Sequence, residues 1–183
     1  MDKQSKKILG LFARYFSILL IGSGNLYVIY KILTPLTVHI LNSILSIFTD
    51  TILSENIIYL GEIVIEIIPA CVAGSAFYLL LLLLFSTGDI KPEVRTKAVI
   101  TSFAALFTLN ILRILILIPM ASTSYFGIIH WIFWHLISTI FVVSIWIGIV
   151  KIYEIKTIPI YSDVKYIKSL IKIKKSKGKK KHK

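Results

Sequence analysis

Cysteine is almost absent: Cys71 is the only one in 183 residues. A single thiol excludes an intramolecular disulfide framework and a cysteine-rich metal site. It leaves one free nucleophile that needs an explanation. Acidic residues are scarce too, nine against 21 lysines and arginines, and charged residues make up only 16% of the chain. Soluble domains usually carry about 25%, so a water-soluble core is not the organising feature. Basic residues are missing from one whole stretch, with none between Pro35 and Pro69.

What is present is apolar. Hydrophobic residues make up 56% of the chain, with a mean hydropathy of +0.83. They fall in long runs, which makes the bilayer the expected solvent. The expectation is an all-α integral membrane protein with about four transmembrane helices, at residues 8–30, 70–87, 98–118 and 126–150. The first run is interrupted at Gly22-Ser23-Gly24-Asn25. That could mark a cleaved signal peptide, but apolar character resumes at Leu26, so a spanning anchor fits better. Residues 35–69 read as an external segment. Its first half, from Ile40 to Ile52, alternates apolar and polar residues with a helical period and reads as an amphipathic interfacial helix. Its second half alternates Glu62, Val64 and Glu66 with isoleucines, which predicts a short strand before Pro69. Residues 1–150 form the membrane domain, and residues 151–183 a basic cytoplasmic tail. In the tail, Val164, Ile167 and Leu170 share a helical face after a Ser162-Asp163 cap signal.

Four spans put both termini on one side. On that arrangement 19 of the 21 basic residues face the same side, leaving Lys31 and Arg113. The positive-inside rule makes that side the cytoplasm of a multi-pass plasma-membrane protein. Residues 35–69 and the Ala121 to Tyr125 turn are then external. The net charge of +12 does not imply nucleic acid, because no aromatic-basic binding module accompanies it. The basic tail is expected to contact anionic membrane lipids.

Three reactive side chains sit within the apolar segments at similar depth. Cys71 lies two residues past Pro69, roughly 3 Å into its helix. Arg113 lies six residues before Pro119, roughly 9 Å from its outer end. His135 lies nine residues into the fourth run, roughly 13 Å deep. A cysteine in the first turn of a helix is expected to have its thiolate stabilised by the helix dipole. Gly74 and Ser75, one turn on, leave room for a substrate backbone. An arginine inside an apolar helix costs on the order of 2.5–3.5 kcal/mol, which points to a function as a fixed cation for a substrate oxygen. Asn110, one turn earlier, can hold the guanidinium or contribute a donor. His135 is read as the base. His130, beside Trp131, reads as an amphipathic ring in an interfacial aromatic belt and only weakly as a substrate contact. Two histidines five apart share a helix face poorly, so no metal pair is expected, and no cofactor is implied.

The strings Pro69-Ala70-Cys71-Val72-Ala73-Gly74, Leu109-Asn110-Ile111-Leu112-Arg113-Ile114 and His135-Leu136-Ile137-Ser138-Thr139 together resemble the exosortase/archaeosortase family, in its short archaeal form. The resemblance covers about residues 56–148. It implies a membrane-embedded thiol transpeptidase with Cys71 as nucleophile, Arg113 as electrostatic stabiliser and His135 as acid/base. Its partners would be the C-terminal sorting-signal region of exported surface proteins and an acceptor, a lipid, that receives the new C-terminus. Val72 departs from the Ser or Thr that often follows the family's cysteine, and Gly74 stands one place late. The alternative from another class is a non-catalytic membrane scaffold or transporter subunit, with Cys71 as packing and Arg113 as an interhelical clamp.

Overall fold

The computed structural model describes residues 3–121 and 123–180. Ser122 of the expected external turn and the last three residues of the basic tail lie outside the described residues. The described chain is 73% helical, with a three-stranded sheet. Three helical segments are long and apolar enough to cross a membrane: Tyr27–Leu45, Pro92–Met120 and Phe126–Ile152.

The chain makes four passages along the bundle. The first is α1 (Lys3–Ser23) followed by α2 (Tyr27–Leu45). The second is the short α3 (Pro69–Val72) and α4 (Gly74–Ser86), the third is α5 (Pro92–Leu117), and the fourth is α6 (Phe126–Ile132) with α7 (Ser138–Ile152). Reverse-order contacts show that α1 runs antiparallel to α4. Lys7 meets Asp89, Arg14 meets Phe85, and the Tyr78 hydroxyl donates to the Ile18 carbonyl. Phe77 packs edge-to-face on Phe103 with ring centroids 5.1 Å apart, joining α4 to α5. Leu80, Leu84, Leu106 and Val142 complete a closed core between the last three passages.

Two boundaries differ from the expected ones. The run at residues 8–30 is not one helix. It breaks at Asn25 and Leu26, both left-handed with φ of 49° and 58°, and the Tyr27 N–H bonds back to Gly24. Asn25 takes the left-handed conformation readily, since its short polar side chain tolerates it, and Leu26 takes it at a steric cost that the turn imposes. Of the expected interfacial helix at residues 40–52, only residues 40–45 are helical, as the end of α2, and the chain then turns before a strand begins at Ile52. Ile29, Leu33, Val38, Leu41 and Leu45 are all buried, so the apolar row continues unbroken through Pro35 and packs into the bundle. Burial on both sides keeps the helix going although Pro35 removes one backbone bond.

The predicted strand exists as the outer strand of a three-stranded sheet. β1 (Ile52–Ser54), β2 (Ile57–Leu60) and β3 (Ile63–Glu66) form an antiparallel meander in the order β1-β2-β3. Two-residue turns at Glu55-Asn56 and Gly61-Glu62 connect them. Gly61 has φ +58°, the conformation such tight hairpins require. Ile58 and Ile67 are buried beneath the sheet. Asn56 and Ile67 exchange bonds, Ile67 N–H to the Asn56 carbonyl and Asn56 Nδ2 to the Ile67 carbonyl, which fastens the sheet to the Pro69 turn.

At the opposite end the tail is built into the bundle. Helix α8 (Tyr161–Lys180) brings Asp163 to Arg14 at 2.8 Å, and Asp163 is buried. Arg14 also donates to the carbonyls of Phe85 and Thr87, and Arg95 to those of Leu84, Phe85 and Thr87. These two arginines satisfy the carbonyls that the C-terminus of α4 leaves free.

Candidate functional site

Cys71 sits in α3, a four-residue helical turn. Its N–H is taken by the Ile68 carbonyl at 2.9 Å. Ala73 follows in the left-handed region, φ 57°, and starts α4 on a new axis. The expected stabilisation of a thiolate by free N–H groups at the start of a long helix is therefore not what this geometry offers. The turn instead places Cys71 on a bend, with the Ala70 and Cys71 carbonyls turned toward α5.

Those carbonyls explain Asn110 and Arg113. Asn110 Nδ2 donates to the Cys71 carbonyl at 2.9 Å. Arg113 Nη2 donates to the carbonyls of Cys71 at 3.1 Å and Ala70 at 3.3 Å. Arg113 Nη1 donates to the Ser138 hydroxyl at 2.8 Å, which in turn donates to the Phe133 carbonyl. Asn110 thus holds the Cys71 backbone and not the guanidinium. Both side chains are buried, at 2% and 4% exposure, so their bonds form away from water, where an unmade one costs most. Arg113 Nε has no partner among the described residues.

A cavity of about 350 Å³ opens beside this cluster, lined by Cys71, Arg113, His130 and Glu66, with apolar walls from Ile65 and Leu117 among others. The cysteine thiol is half-buried and free. Of the two histidines, His130 lines the cavity and stacks on Phe126 with centroids 5.5 Å apart. His135 does not line it. Its ring is exposed, held between Trp131 and Trp134 at centroid distances of 4.7 and 4.4 Å. Its Nδ1 bonds the Trp131 carbonyl at 3.1 Å. His130 lies in α6, and His135 lies inside a π turn at Phe133–Ile137. The turn adds a residue to the helical register, and Ser138, not His135, faces Arg113.

Gly74 and Ser75 also lie outside the cavity. Gly74 is buried, and a Cβ there would come within 2.5 Å of the Tyr30 ring, so α2 fills the space expected for a substrate backbone. Ser75 is exposed. Glu66 reads from the sequence as a solvated strand carboxylate, with orienting a histidine the lesser alternative. The second hairpin brings it to the cavity, and nothing in the local pattern encodes that. Among the described residues no group of three His, Cys, Asp or Glu side chains could hold a metal ion.

Compared with protein-family models, curated proteins and solved structures, the chain matches none.

Proposed function

We propose that this chain is a membrane-embedded cysteine transpeptidase or peptidase of the exosortase/archaeosortase type. One observation carries the reading. A lone thiol, 39 and 42 residues before the side chains that grip its carbonyl, shares one cavity with a guanidinium and an imidazole. That is the equipment for acyl transfer from a peptide bond.

In this reading His130 takes the Cys71 thiol proton. The thiolate sulfur attacks the substrate carbonyl carbon, and the oxyanion that forms is met by the Arg113 charge. The carbon–nitrogen bond breaks, and the leaving amine takes its proton from the His130 imidazolium. A thioester remains on Cys71. A hydroxyl of the acceptor, a lipid, or water then attacks it and regenerates the thiol. The base assigned here is His130 because it borders the cavity; the family-like pattern instead points to His135, and substitution separates them. The substrate implied is the C-terminal sorting-signal region of an exported protein. The thiol end of the bundle then faces outward, and both termini face the cytoplasm, as the charge distribution argues.

A second reading is favoured by one specific observation. Both Nη groups of Arg113 are engaged in bonds that also clamp α3, α5 and α7 together, as a non-catalytic scaffold or transporter subunit would use them. The deciding experiment co-expresses the chain with a candidate substrate that ends in a short motif, an apolar helix and a basic cluster. Cleavage that disappears with Cys71→Ala, in a variant that remains membrane-inserted, supports the enzyme. Unchanged processing with Cys71→Ala supports the scaffold.

A further inference from the structure

The sheet ends on a free edge, and that edge borders the cavity. β3 is an outer strand of the β1-β2-β3 order. Its register with β2 pairs Ile65 with Ile58 and Ile63 with Leu60, and the ladder continues through the bonded Asn56 and Ile67 pair. In an antiparallel pair, hydrogen-bonded and non-bonded residue pairs alternate. Since Ile67 bonds toward β2, so do Ile65 and Ile63. The N–H and C=O of Val64 and Glu66 therefore point away from β2. Among the described residues no backbone group bonds to them, and both residues line the cavity that holds Cys71 and Arg113.

We infer that the occupant of this edge is the substrate itself, an extended polypeptide segment that adds as a fourth strand along β3 and lays its scissile carbonyl over Cys71. The inference rests on the thiol-enzyme reading above and adds to it how substrate is held. Main-chain pairing gives affinity with little demand on sequence, while the alternating side chains of the added strand find apolar walls on one side. Position supports it. The edge is a short continuation of the chain that carries the nucleophile, with Glu66 five residues before Cys71. An unpaired edge is also something a protein must cover or use. Here it is neither blunted by a lysine nor covered by another strand.

The test uses the full chain in lipid nanodiscs and four probes: iodoacetamide, an acetylated tetra-alanyl chloromethyl ketone, and two derivatives of that ketone, isomers of each other, N-methylated on one or the other set of alternate amides. Rates of Cys71 labelling are each normalised to free cysteine. The expected result is a preference for the peptide reagent over iodoacetamide. One methylated isomer should lose that preference by about tenfold or more, and the other should keep it, because only alternate amides face the edge. Val64→Pro removes an edge N–H and should lose the preference too, while Val64→Ala keeps that N–H and the preference, each read as the ratio to iodoacetamide labelling of the same variant. A preference that survives both methylation patterns and Val64→Pro overturns strand addition and leaves the thiol reading intact. No preference for any peptide reagent overturns the thiol reading, and this inference with it. If Val64→Pro fails to insert, the two methylated isomers decide the matter on the native chain.

Discussion

At the residue scale the site turns on what Arg113 holds. Three of its bonds end on groups of other passages, and a lysine could supply a point charge but not the planar fork that reaches Ser138 and two carbonyls together. Arg113→Lys should therefore lose both turnover and stability. Each lost bond to a charged donor is worth about 1.5–3 kcal/mol at most, so a measurable fall in thermal midpoint in detergent should accompany the lost activity. Normal turnover by Arg113→Lys would remove the argument for the fork. The two histidines separate cleanly. His130→Ala should lower turnover by ~10²–10⁴-fold, the usual worth of general acid/base help. His135→Ala should change turnover by less than tenfold, since its ring packs between two tryptophans outside the cavity. The reverse ranking in a cleavage assay would return the base to His135.

At the element scale the packing of α2 on α3 and α4 sets the position of Cys71. Tyr30 lies against Gly74 so closely that any side chain there collides. Gly74→Ala should cost about 1–3 kcal/mol by overpacking, and Tyr30→Leu in the same chain should recover most of it. Two independent, additive losses in thermal midpoint would show that the contact does not matter. This contact marks where sequence reasoning reached its limit. Cys71, Asn110 and Arg113 were legible because Pro69 and Pro119 punctuate the chain, and counting residues from each gives depth. The strand before Pro69 was legible from its period of two. The identity of the cavity histidine was not, because it depends on a π turn at Phe133–Ile137 that no local propensity announces. The role of Tyr30 was not, because the break at Asn25-Leu26 had to be placed correctly before α2 could be aligned with Gly74. The Asp163 carboxylate looked like a helix cap, and only the tertiary contact with Arg14 reveals its use.

At the scale of the whole molecule, the two chain ends meet. Lys7 lies over the Tyr166 ring at 4.6 Å, and Arg14 pairs with Asp163, so α1 and α8 occupy the same end of the bundle. The sheet, with Glu55, Glu62 and Glu66, occupies the other. Four passages connect the two ends, and three of them contain a helix long enough to span. The weak passage is the second, where α4 has 13 residues and roughly 20 Å of length at 1.5 Å per residue. It needs the α3 turn, and the bond from Arg113 to it, to reach the depth of the sheet. Basic residues crowd the end where α1 and α8 meet, and the proposed orientation puts that end in the cytoplasm. Reporter fusions after Asn56 and after Lys91 should then report opposite sides, the first outside and the second inside. Both on one side would mean that α4 does not cross, and Cys71 would not share a membrane face with the sheet. The Asp163→Asn substitution tests the same architecture from the other end. It removes the charge from the buried partner of Arg14, and about 1.5–3 kcal/mol is the usual worth of such a bond to a charged group. The tail should then exchange its amide hydrogens faster around Tyr161 to Leu170 while Cys71 labelling stays unchanged, because the two clusters lie at opposite ends of the bundle. A change in Cys71 reactivity with Asp163→Asn would show that the tail helix is coupled to the thiol through α4.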